Sequence, residues 1–173
     1  VFNYVEQVWY YGTMARTAWI DSGLRAYPEA ATYNYNIVDH EYGLNDNETG
    51  TTAALNAYIS SSEFDIGDGH NMGFVWRTIP DITFENSSNA PDGSVASVTM
   101  TLYGMQNSGS GITDTASAPV ASGSVYVIPE TYTGQIYTRV RGRQMIFKIA
   151  SNKINTAWQL GAPRIDIRPD GRR

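Results

Sequence analysis

Residues 137–149 read YTRVRGRQMIFKI. Val, Ile, Tyr, Phe and Thr recur here at a spacing of two, the period at which strand side chains alternate between faces. One unbroken strand fails on charge. It would place Arg139, Arg141 and Arg143 on the same face as Met145, Phe147 and Ile149. A slip of one residue moves every later side chain to the opposite face. A β-bulge at Gly142 would supply that slip and put Ile136 and Val140 on the core side with Met145, Phe147 and Ile149. Pairing that ran unbroken through Gly142 would refute this expectation.

The same short period runs outward in both directions. Candidate strands rich in Val, Ile, Thr, Tyr and Phe fall at 5–11, Arg16–Ile20, 33–38, 74–79, 82–85, 94–103, 124–128, 135–140, 143–150, 156–160 and 164–168. Gly, Asn, Asp and Pro separate them. The best helical stretch, TTAALNAYISS at 51–61, is weak, and its Tyr-Ile beside a serine run suits a strand equally. Residues 108–124, rich in Ser, Thr, Gly and Ala, read as a long exposed loop or a hairpin tip. About ten short strands at this spacing predict an all-β fold of sandwich or barrel type. The polar loop NDNETG at 45–50 is the natural boundary. Residues 1–44 are expected to be the last strands of a propeller-like or meander β-domain. Residues 51–173 are expected to be a β-sandwich-like C-terminal domain. The start lacks Met and a signal-peptide pattern and already reads as strand, which suggests the C-terminal part of a longer polypeptide.

Of 173 residues, 42% are hydrophobic and 17% charged, a balance that fits a folded chain rather than a disordered one. At this length a fold can bury roughly 70% of the surface its unfolded chain exposes. With no cysteine, disulfides and thiolate metal sites are excluded. No apolar run approaches the roughly 18 residues of a membrane-spanning helix.

The net charge of −5 conceals a division. Residues 1–138 hold three Arg against 15 acids, a net of −12, whereas residues 139–173 hold seven Arg and two Lys against Asp166 and Asp170, a net of +7. Such a split orients a subunit among neighbours or toward a polyanion, or it folds back on itself. In the terminal stretch WQLGAPRIDIRPDGRR, Ile165 and Ile167 should face one way and Arg164, Asp166 and Arg168 the other. Pro163 and Pro169 bracket the strand and favour an edge position. Exposed ion pairs contribute about 0–1 kcal/mol each, so the row specifies a partner better than it stabilises a fold. The residues expected to contact another subunit or partner are Arg139, Arg141, Arg143, Arg164, Asp166, Arg168, Asp170, Arg172 and Arg173.

Catalytic constellations are poorly represented. His40 and His70 sit in polar turns, and no nucleophile-elbow pattern surrounds Ser60, Ser61 or Ser62. Glu63, Asp65 and Asp68 cluster in sequence, as do Asp39, Glu41, Asp46 and Glu48, but a glycosidase needs two carboxylates facing across a groove. Asp65 to Gly69 has a partial likeness to a calcium loop without its ligand run, so no metal is expected there. Arg139, Arg141, Arg143, Lys148 and Lys153, with Tyr137 and Phe147, would suit a sequence-independent electrostatic groove for DNA. No cofactor motif is present.

Five stretches carry a resemblance: YYGTMARTAWIDSGLRAYP (10–28), DHEYGLNDNETG (39–50), AYISSSEFDIGDGHNMGFVWRTIPDITF (57–84), YTRVRGRQMIFKI (137–149) and AWQLGAPRIDIRPDGRR (157–173). Together they resemble the C-terminal part of tail hub or nozzle proteins of short-tailed bacteriophages, also called DNA-stabilisation proteins. The ending RIDIRPDGRR is the most specific piece, and 86–130 is the divergent part. The resemblance implies a non-catalytic virion component of the tail. It implies a ring of its own copies, sixfold, below the portal and adaptor. The implied partners are neighbouring tail or adaptor proteins, with non-specific contact to packaged DNA in the exit channel. The alternatives are a receptor- or glycan-binding β-domain of the virion and a tail-tip glycan hydrolase.

Overall fold

A computed structural model describes residues 1–65, 69–121 and 135–171. The strand expected at 124–128 and the terminal Arg172 and Arg173 lie outside the described residues. The described chain is all β, with no helix, closed barrel or propeller. It divides into two compact units, Val1–Gly43 with Asn47–Thr51, and Leu44–Asp46 with residues 52–173.

In the first unit, β1 (Phe2–Asn3) pairs with β2 (Val8–Trp9). The longer strand expected at 5–11 is cut short. The Asn3 side-chain oxygen accepts the N–H groups of Val5 (3.0 Å) and Glu6 (3.1 Å), which closes a turn. Next, β3 (Arg16–Ile20), β4 (Glu29–Thr32) and β5 (Ile37–Asp39) form an antiparallel meander. The strand expected at 33–38 is therefore mostly a turn. Thr32 Oγ1 accepts the N–H groups of Asn34 and Asn36, and Tyr35 takes a left-handed φ of 61°. Local side-chain bonds outcompeted the alternating pattern in both places.

The second unit opens with β6 (Asn45–Asp46) paired to β7 (Ala53–Ala54), then β8 (Ala57–Ser60), β9 (Phe64–Asp65), β10 (Gly73–Ile79) and β11 (Ile82–Thr83). It continues with β12 (Ser97–Met105), β13 (Ile112–Ala121), β14 (Ile136–Gly142), β15 (Gln144–Ser151), β16 (Gln159–Leu160) and β17 (Arg164–Pro169). The stretch with weak helical character at 51–61 is thus strand, in β7 and β8. One sheet has the order β13-β12-β15-β8, with β9 also paired to β15, and another has the order β14-β10-β17. Val75 and Val140 from the three-stranded sheet join Val98, Met100, Leu102, Val120, Met145, Phe147 and Ile149 from the larger one in a single buried cluster. Two sheets sharing one core make this unit sandwich-like.

Of the loop or hairpin tip expected at 108–124, residues 108–111 do form the tip of a hairpin and 122–124 lie outside the described residues, but 112–121 are strand β13. It pairs with β12 from Val98↔Val120 to Met105↔Ile112. Its inward positions include Asp114, Ala116 and Ala118, too small or too polar to show a hydrophobic period.

At Gly142 the register does shift by one, by a different device from the bulge expected. Strand β14 pairs with β10, and β15 pairs with β12, β8 and β9, so the chain passes from one sheet to the other. Thr138, Val140 and Gly142 are buried before the corner, and Met145, Phe147, Ile149 and Ser151 after it. Arg143 N donates to the Met105 carbonyl at 2.8 Å. A Cβ on Gly142 would lie 2.8 Å from the Met105 nitrogen and from the Gln144 carbonyl oxygen, which requires glycine on steric grounds.

Candidate functional site

The outer face of the β14-β10-β17 sheet collects most of the chemistry. Its middle strand is irregular: the register of β10 shifts between Val75 and Arg77 against both neighbours. Val75 and Thr78 are both fully buried, so Trp76 and Arg77 between them are turned outward together. The guanidinium carbons of Arg77 and Arg168 each lie 4.7 Å from the Trp76 ring centroid. Tyr137, 73% exposed, sits 6.3 Å from Trp76 between ring centres. Phe74, Trp76, Tyr137, Thr138 and Arg139 line an open cavity of about 600 Å³.

The charged residues on this face fall into two groups. Arg77 pairs with the Asp166 carboxylate directly across the ladder and donates to the Gln135 side chain at 3.3 Å. Arg141 pairs with the Asp170 carboxylate and donates to its carbonyl at 3.0 Å, while its backbone N–H donates to Asp114 Oδ2 at 2.9 Å. The side chains of Arg139 and Arg164 are exposed and make no ion pair or hydrogen bond among the described residues. Arg143 is half-buried at the corner.

Strand β17 is an edge strand. Ile165 packs against the core, whereas Ile167 is 38% exposed, so the apolar face of this strand is only partly covered.

The set proposed for a DNA groove does not stay together. Arg139 and Tyr137 share the outer face of β14. Phe147 is buried in the core, and Lys148 of β15 stands over the Tyr58 ring at 4.7 Å. Phe74 and Trp76 were absent from the sequence-derived site. Their signal was an aromatic at every second position along a strand whose intervening residues, Gly73 and Val75, are buried.

Among the histidine, serine and carboxylate candidates, His40, Glu48, Ser61 and Asp65 are held in hydrogen bonds within the chain. In the first unit, Arg16 Nε donates to His40 Nε2 at 3.0 Å, which requires a neutral imidazole. The Trp19 ring centre is 4.6 Å away. Burial, and then the Arg16 charge, hold the His40 pKa below its ordinary value. Glu48 accepts from Arg16 and from Asn34, each at 2.9 Å. In the second unit, Ser61 Oγ accepts the Phe147 N–H at 3.0 Å and Asp65 accepts from Gln144 at 2.8 Å. Residues 66–68, including Asp68, lie outside the described residues. No group of three or more His, Cys, Asp or Glu is placed to hold a metal among the described residues.

This arrangement defines an all-β chain with an aromatic and arginine-bearing sheet face. No protein-family model matches it, and no curated protein matches it.

Proposed function

We propose that this chain is a non-catalytic structural subunit of a bacteriophage tail, of the hub or nozzle kind, assembled into a ring of its own copies. The observation that carries this reading is the surface of the first unit. Val1, Tyr4, Trp9, Tyr11, Leu24 and Tyr35 are all more than 70% exposed there. Large apolar side chains exposed in this number suit a surface that further protein covers, either more of the same polypeptide or a neighbouring copy. The opposed charges of the two halves of the chain supply the complementary patches that a head-to-tail contact needs. The ordered resemblance of five stretches, ending in RIDIRPDGRR, directs the reading to a phage tail. Adaptor or neighbouring tail proteins are the further partners it implies, with packaged DNA as a non-specific one.

Light scattering of the purified protein, combined with electron cryo-microscopy of particles, tests this. A ring of copies on the tail axis is the expected result. A monomer absent from particles would overturn it. The groove beside Tyr137, bordered by the half-buried Phe74 and Trp76, favours a second reading, a glycan-binding module, because an exposed aromatic ring offers a sugar a stacking face. Saturable binding of a monomer on a glycan array would select that reading.

A further inference from the structure

We propose that the groove over Phe74, Trp76, Tyr137 and Arg139 receives the acidic, aromatic surface of a second copy of this chain, presented by that copy's residues 1–43 and 47–51. The inference rests on the ring reading above and names the two faces that meet.

The first argument is the charge left over on the sheet face. Arg77 is matched by Asp166, Arg141 by Asp170, and Arg168 lies against Trp76. The side chains of Arg139 and Arg164 have no ion pair or hydrogen bond among the described residues, and of the two Arg139 borders the open aromatic cavity. Such a place fits one carboxylate set beside an apolar or aromatic side chain. Buried in an interface, that pairing gains strength as water is excluded.

The second argument decides between partner classes. Affinity for a nucleic-acid backbone grows with the number of phosphates that unpaired cations neutralise. Here Asp166 and Asp170 stand among the arginines, and Asp114 holds the backbone of Arg141. A uniformly anionic polymer laid along the sheet would meet these carboxylates in turn. A protein surface of mixed charge would not.

The third argument is complementarity within one sequence. Residues 1–43 and 47–51 hold Arg16 and Arg25 against six acids, a net of −4. Arg16 and Arg25 are already matched by Glu48 and Glu29. Asp39 and Glu41 are exposed, flank His40 and make no ion pair among the described residues. Tyr42 beside them is also exposed and meets Tyr27 edge-on at 5.0 Å. An acid next to an exposed aromatic is the pairing that the Arg139 groove fits. Because the two patches differ, the contact is heterologous and closes into a ring or runs on as a filament.

The test places the photocrosslinker p-benzoylphenylalanine at position 137 of the full chain, in rings assembled from isotope-labelled and unlabelled copies. Cross-links from position 137 of one copy to residues 1–43 or 47–51 of another are expected. Cross-links to nucleic acid, to a different protein or to residues 52–173 of another copy overturn the proposal. An assembled ring without cross-links at this position overturns it as well and leaves the ring reading standing. A chain that forms no ring overturns both. As an independent check, Arg139→Glu should weaken assembly at least about tenfold, the loss of one interfacial charge pair, without moving the melting temperature of the unassembled chain. Assembly at wild-type strength would overturn the proposal.

Discussion

The two units of this chain solve the burial problem differently. In the second, Val75, Met100, Leu102, Val140, Met145 and Ile149 are fully buried between facing sheets. In the first, Pro28, Ala30 and Thr32 are the buried residues, while tyrosines and tryptophans of the same unit stand in solvent. Both are built from short antiparallel strands. What separates them is cover: the described hydrophobic core cluster draws all its residues from the second unit, while the first holds only the two small sheets β1-β2 and β3-β4-β5. A lone small sheet is marginal without such cover. The contrast shows that strand content does not measure burial, and the less buried unit is the one we propose meets a neighbour.

The sharpest way to break this contrast is a pair of truncations. Leu102→Ala should cost about 2–5 kcal/mol, because it leaves a cavity in a packed core. Leu24→Ala, at a fully exposed position, should stay within about 0.5 kcal/mol. Denaturant titration of both variants checks this, and equal losses would erase the distinction between the units. The next effect is at the corner that joins the two sheets. Gly142→Ala should cost about 1–3 kcal/mol, since the added methyl meets the Met105 and Gln144 backbones rather than a movable side chain. A neutral result in thermal unfolding would mean that the corner relaxes.

A smaller effect is expected on the sheet face. Asp166→Asn removes the partner of Arg77 in a partly exposed pair, so a loss of about 0–1 kcal/mol is expected, shrinking with added salt. A large loss that salt left unchanged would place that pair in the stability of the sheet rather than on its surface.

The smallest effect is a pH dependence confined to the first unit. The His40 pKa is lowered in the fold, so the unfolded chain binds its proton first. Stability is therefore complete above the ordinary value near 6.5 and declines as pH falls from there through the lowered value. His40→Asn should flatten that slope in thermal melts taken across the window. A slope of the opposite sign in the wild type would contradict the Arg16 to His40 bond.

How much was legible beforehand follows from what local pattern encodes. Alternation in 137–149 revealed the parity break at Gly142, and two prolines marked Arg164–Pro169 as an edge. Strand β13 was missed because Asp114, Ala116 and Ala118 gave its inward side no apolar contrast, although pairing with β12 orders it along its whole length. The turns at 4–7 and 33–36 were missed because Asn3 and Thr32 capture backbone N–H groups, a local choice that periodicity ignores. The candidate contact residues were recognised as charges, but their pairing was not. Asp166 meets Arg77 across 89 residues, and Trp76 joins Arg139 only through strand neighbours.

By itself, then, the sequence determined the all-β class, the break at Gly142 and the basic character of the C-terminal strands, because side-chain parity and charge are properties of a single strand. Tertiary structure alone decided that the break is a change of sheet, which arginines are matched, and that Phe74, Trp76, Tyr137 and Arg139 share one groove. Those outcomes depend on which strands lie side by side, and strand pairing is chosen by the burial of the whole core rather than by any one segment.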